Sequence, residues 1–173
     1  MSFEKLILPD FILTSIYKNN IVLVQNDSKT VEVKNQKTTS EKKWYLGENK
    51  KKVFIAVQDE SAAFLRDEWL QFLSSILTAC HLNIGDVAIV NMANYKIPYK
   101  EAVEALQPNY FILFDINIQQ FQLPFIVQEY HVQQFNQAQF ILSASLSKMQ
   151  SNTAEAKLEK TKLWTGLKKM FGI

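Results

Sequence analysis

One run of five apolar residues, Val53-Phe54-Ile55-Ala56-Val57, closed by Gln58-Asp59-Glu60, constrains the fold of this chain more than any other stretch. An unbroken apolar run of that length suits a strand covered on both faces, the habit of parallel sheets flanked by helices. Two similar runs follow, Asp86-Val87-Ala88-Ile89-Val90-Asn91 and Tyr110-Phe111-Ile112-Leu113-Phe114-Asp115, each set off from its predecessor by helix-like sequence. Gln139-Phe140-Ile141-Leu142 supplies a fourth. The rhythm is β-α-β-α-β, and right-handed crossovers then put helices on both faces of the sheet. The expectation is an α/β fold, a three-layer αβα sandwich around a four-stranded parallel sheet.

The intervening sequence fits that plan. Leu65, Trp69, Phe72, Leu73, Ile76 and Leu77 recur at three and four, which predicts a helix from Ala62 to about Ala79 with Ser61 as its cap. Pro98 opens a shorter helix through Glu101, Ala102, Ala105 and Leu106, and Pro108 stops it. Thr153 opens the last helix, where Ala154, Leu158, Thr161, Trp164, Leu167 and Phe171 form one face. Between 117 and 139 glutamines and aromatics resist assignment beyond a loop or short helix and an extended piece around Phe125-Ile126-Val127.

Upstream of the sheet the character changes. Residues 1–24 read as a helical extension: Phe11, Ile12, Ile16 and Tyr17 fall on one side at helical spacing, and Ile21-Val22-Leu23-Val24 is a candidate edge strand. Residues 25–52 form a polar connector with eight lysines between Lys29 and Lys52 against three glutamates. Lys50, Lys51 and Lys52 are its candidate nucleic-acid contact, and Trp44-Tyr45-Leu46 is expected to anchor it to the core. Residues 53–173 are then the α/β domain.

Several functions are disfavoured by what the chain lacks. None of the four glycines stands in the turn after a core strand, so a phosphate-cradling loop is missing and no nucleotide cofactor is expected. One cysteine and two histidines cannot build a disulfide or a conventional zinc site, so no metal is expected either. A net charge of +2 is too small for nucleic-acid binding across the whole surface. No apolar run approaches the roughly 18 residues of a membrane span. The first residues carry acids and a proline in place of a secretory signal, which points to the cytoplasm.

What remains as a site is the set of polar groups at strand ends, Asp59, Asn91 and Ser143, with Ser145 beside the last. One carboxylate, one amide and hydroxyls are thin material for catalysis. An open cleft there with a stacking aromatic such as Phe64 or Tyr95 would favour base binding, whereas a filled one would favour a binding module.

In order and spacing these features resemble the uracil-DNA glycosylase fold, in particular its non-catalytic branch, the psi subunits of bacterial DNA polymerase III. The resemblance covers about 120 residues. It is carried by Val57-Gln58-Asp59, the long helix, Asp86 to Asn91, Pro108-Asn109 with the following strand, the serine-rich turn after Leu142, and Lys162 to Phe171. In the active glycosylases the first turn is glycine-led and its aspartate helps to activate water; here Val57 replaces the glycine, and Glu60-Ser61-Ala62 replaces the Pro-Tyr-His that follows. Asn91 matches the asparagine that reads the uracil edge, and Ser143-Ala144-Ser145 takes the place of a His-Pro-Ser turn, losing the histidine that stabilises the departing base. With two of three motifs broken, the resemblance implies no glycosylase activity. It implies instead a protein-interaction subunit with clamp-loader components as partners, docked through Phe3, Leu6, Phe11, Ile12, Ile16 and Tyr17. The alternative is a base-binding protein or degenerate DNA-repair enzyme with a pocket at Asp59, Asn91 and Ser143.

Overall fold

The apolar runs become the centre of a six-stranded sheet in the computed structural model, which describes residues 43–173. In chain order the elements are β1 (Leu46–Gly47), β2 (Val53–Val57), α1 (Asp67–Ala79), a 3₁₀ turn (Ile84–Asp86), β3 (Val87–Asn91), α2 (Tyr99–Leu106) and β4 (Tyr110–Phe114). They continue with α3 (Ile118–Phe121), β5 (Gln133–Phe135), β6 (Ala138–Ser143), α4 (Leu146–Gln150) and α5 (Ala154–Phe171). The strand order is β1-β3-β2-β4-β6-β5.

The four expected strands are mutually parallel neighbours in that order, β3-β2-β4-β6. The sheet as a whole is mixed, because β1 pairs antiparallel with β3 and β5 antiparallel with β6. This corrects the expected four-stranded parallel sheet. Both added strands are too short to leave a period in the sequence: β1 has two residues, and β5 is Gln-Gln-Phe. The β5–β6 hairpin turns on Asn136 and Gln137, both at positive φ (47° and 65°), as a two-residue loop matching strand twist requires. Asn136 was the available signal. Phe125-Ile126-Val127 forms no strand, although Val127 is buried.

Alternation along the strands divides the interior into two cores. Val53, Ile55, Val57, Ile89, Ile112 and Ile141 face α1, α4 and α5 through Trp69, Leu73, Leu77, Met149, Leu163 and Leu167. Phe54, Ala56, Ala88, Phe111, Leu113 and Phe140 face the other way, toward Ala102, Leu106 and Phe121. The second core is largely aromatic, with Phe111 stacked on Phe140 at 4.4 Å. On the first face α5 comes close to the sheet at Gly166, where an added Cβ would stand 2.3 Å from Ile141 Cδ1.

The described part of the polar connector is built into the sheet. Trp44 and Tyr45 pack against the second core, and Leu46 pairs with Ile89. Gly47 makes this route feasible: its φ is +103°, and a Cβ there would lie 2.1 Å from the Val87 carbonyl oxygen and 2.5 Å from that of Ile84. Both contacts are backbone and cannot swing aside. Gly47→Ala is therefore expected to cost about 2 kcal/mol or more, read as a lowered urea midpoint. An unchanged midpoint would contradict the packing described for β1.

The long helix begins later than its periodicity predicts. It starts at Asp67 with Arg66 as N-cap residue, and Ser61 caps nothing helical. The cause is Asp59, whose carboxylate takes the Ser61 and Arg66 backbone N–H groups at 3.0 Å each and holds 59–66 in a loop. No helix among the described residues is long and apolar enough to cross a membrane.

Candidate functional site

Asp59 stands two residues past the end of β2, and Asn91 ends β3, in register with Val57. Both side chains are buried, at 1% and 0% exposure. The Asp59 carboxylate accepts five hydrogen bonds. Two come from the backbone N–H groups already named, one from Ser61 Oγ at 2.6 Å, and two from the Arg66 guanidinium at 3.1 and 2.8 Å. The Arg66 hydrogen bonds, helped by those from Ser61, hold its carboxyl well below the usual carboxylate range against the opposing effect of burial. Arg66 is in turn fixed over the Trp69 indole at 4.0 Å.

Asn91 is spent in the same way. Its Oδ1 accepts from Asp59 N at 3.0 Å and Ala93 N at 3.1 Å, and its Nδ2 donates to the carbonyls of Asp59 at 2.6 Å and Ala62 at 2.9 Å. Asn94 Nδ2 donates to the Ala62 and Ala63 carbonyls at 2.8 and 3.0 Å. Phe64 and Tyr95 stack on each other, 6.1 Å apart with their planes 16° from parallel. The loop 58–66 is thus sewn to the turn after β3 by side-chain amides and by an aromatic pair. The two aromatics named as base-stacking candidates are engaged with each other.

Ser143 does not join this group. It ends β6, opposite Phe114, and β4 lies between it and β2, so roughly two strand spacings of about 4.8 Å separate it from Asp59's strand. Its hydroxyl donates to the Ala144 carbonyl at 3.2 Å, while its carbonyl accepts from Asp115 N at 2.8 Å. Ser145 caps α4, accepting from Lys148 N at 3.4 Å and sharing a hydrogen bond with Ser147 at 2.9 Å. The pocket expected from Asp59, Asn91 and Ser143 is therefore corrected: two of its members form an internal knot and the third sits across the sheet.

A cleft of about 310 Å³ does open at the carboxyl ends of the parallel strands, between the knot and Ser145. Gln58, Asp115, Ser145 and Ser147 line it, with Trp69 and Phe114 as apolar walls. It lies between β2 and β4, where the strand order reverses, the place at which open α/β sheets leave a crevice. The signal for Gln58 and Asp115 was in the sequence as the first polar residues after two core strands.

Two of the three lysines proposed for nucleic acid are drawn toward their own chain. Lys50 pairs with Glu48 at 2.6 Å, and Lys51 Nζ donates to the His81 carbonyl at 3.2 Å and lies 3.9 Å from Asp86; Lys52 is exposed. Phe3, Leu6, Phe11, Ile12, Ile16, Tyr17 and the candidate edge strand at 21–24 lie outside the described residues. Among the described residues no three histidine, cysteine or carboxylate groups cluster as a metal site. No protein-family model matches the chain, and no curated protein matches it.

Proposed function

We propose that the chain is a non-enzymatic protein-interaction subunit of the psi-like kind, a clamp-loader accessory in DNA replication built on a uracil-DNA glycosylase-like fold and working in the cytoplasm. One observation supports the non-enzymatic part of this reading: every polar group of the Asp59 and Asn91 side chains is consumed by the fold. Water activation needs a carboxylate free to take a proton, and base recognition needs an amide edge turned outward. Here the carboxylate is held by Arg66 and Ser61, and the amide by Asp59, Ala62 and Ala93. The same side chains that would carry chemistry in a glycosylase shape a loop in this chain.

A second reading, base binding without cleavage, draws on the cleft at Gln58 and Asp115. Single-turnover excision with the full chain in excess over uracil-containing single- and double-stranded DNA separates the enzyme from the subunit. The expected result is no base release above a protein-free control. Release above that control, lost in Asp59→Asn at unchanged fold, would overturn the proposal. Saturable retention of free uracil without release, lost in Gln58→Ala, would favour base binding.

A further inference from the structure

The polar strand ends leave unexplained an apolar groove on the opposite side of the first core's helices. Between α1 and α5 runs a channel of about 240 Å³, floored by Phe72, Ile76, Leu163, Trp164 and Leu167. Its walls differ in chemistry. The α1 wall presents Phe72, Ser75, Ile76 and Ala79, at i, i+3, i+4 and i+7, with no charge. On α5, positions 157, 160, 164 and 168 recur at i, i+3, i+7 and i+11, so Lys157, Lys160, Trp164 and Lys168 share one face.

Two of these cations lie against aromatic rings of the groove, and Lys160 also lines it. Lys160 Nζ lies 5.3 Å from the centre of the Phe72 ring, and Lys168 Nζ 6.0 Å from that of Trp164. None of Lys157, Lys160 and Lys168 is ion-paired among the described residues. Glu68, in the first turn of α1, lines an adjoining hollow that shares Phe72, Ser75 and Lys160 with the groove. The result is an apolar floor two helical turns long with Lys160 on the α5 wall and Lys168 beside Trp164. An uncharged strand or a basic segment would leave those ammonium groups without partners, whereas a helix with apolar residues at i, i+3 or i+4 and acids flanking them satisfies floor and cations together.

We infer that this groove is a docking site for an acidic amphipathic helix of a partner protein, with Trp164 as its anchor and Lys160 and Lys168 as its charge readers. The inference rests on the reading of the chain as an interaction subunit, and it adds where and by what chemistry a partner is held. The position of Trp164 suits it, since a half-buried indole with Lys168 beside its ring supplies area and orientation at once.

The test uses the full chain labelled with ¹⁵N and a synthetic peptide probe of about four helical turns, carrying leucines at i and i+4 with glutamates beside them. A second peptide with lysines for those glutamates, and a third with the acidic one scrambled, serve as comparisons. The acidic peptide is expected to shift the Trp164 indole N–H resonance and its groove neighbours saturably, and to weaken as salt rises above about 0.1 M, where the Debye length falls below about 10 Å. Lys160→Glu with Lys168→Glu, both on the helix surface, should weaken it about tenfold at an unchanged unfolding midpoint. Equal binding of the basic or scrambled peptide, shifts centred on the Gln58–Asp115 cleft, or indifference to charge reversal would each overturn the inference. Clamp-loader binding by the same charge-reversed protein separates the two claims. Failure of the wild-type chain to bind the acidic peptide while it still binds the clamp loader sinks the groove alone, and failure of the wild-type chain to bind the clamp loader while the peptide still binds sinks the replication reading.

Discussion

Asp59→Ala is expected to lower the folding stability by about 3 kcal/mol, a large share of what a domain of this size holds in reserve. The carboxylate is 1% exposed and takes five hydrogen bonds; removing it strands the Ser61 and Arg66 backbone N–H groups and the Arg66 guanidinium at once. Arg66 is 41% exposed at its side chain and can recover part of its loss in water, which keeps the figure below the upper range for broken buried pairs. Urea unfolding of the full chain gives the number. A loss under about 0.5 kcal/mol, the ordinary scale for surface changes, would mean that the carboxylate is free for another use.

The same group contributes to the acid limb of the stability curve. In the unfolded chain Asp59 titrates near the ordinary value of about 3.9, while in the folded protein Arg66 and Ser61 hold it lower. The folded state therefore binds fewer protons, and the stabilisation is fully present above the unfolded value and lost as pH falls through the folded one. Wild-type stability should drop steadily below about pH 4. Asp59→Asn, which keeps the shape and removes the titration, should be less stable at neutral pH and flatter across that window.

Asn91→Leu is the second large effect. The substitution keeps the volume of a wholly buried side chain but withdraws partners from Asp59 N, Ala93 N and the Asp59 carbonyl; the Ala62 carbonyl retains Asn94. At about 1–3 kcal/mol for each stranded buried group, partly relieved by relaxation of the loop, the expected cost is about 3–4 kcal/mol. Because Asn91 and Asp59 hold the same loop, the double variant Asp59→Ala with Asn91→Leu should lose less than the two singles added, by about 1 kcal/mol or more. Additive losses would show that the two residues serve separate structures.

The sheet's centre was legible because burial on both faces leaves continuous apolar runs, and β2, β3, β4 and β6 all carry one. The edge strands were not, since Leu46–Gly47 and Gln133–Phe135 are held by partner strands and by the backbone geometry of Gly47, Asn136 and Gln137 rather than by any period of their own. The start of α1 misled for a related reason. Hydrophobic spacing extends back to Leu65, but one carboxylate two residues beyond β2 competes for the N–H groups a longer helix would need. At the site, sequence placed Asp59 and Asn91 at neighbouring strand ends, and the structure joins them. What it could not convey is direction: both side chains turn inward to their own loop, a consequence of where residues 58–66 fold back. The groove residues Phe72, Ile76 and Trp164 looked like ordinary core positions, and only the gap between α1 and α5 leaves them half-covered.

The proposed role is tested most directly by isothermal titration of the full chain into purified clamp loader from the same organism, beside the full-length variant Phe11→Asp with Ile16→Asp. The account predicts a stoichiometric complex at about micromolar Kd or tighter, weakened at least tenfold, about 1.4 kcal/mol or more, in the variant at an unchanged unfolding midpoint. No complex with the wild-type chain, or equal affinity in the variant, would contradict it.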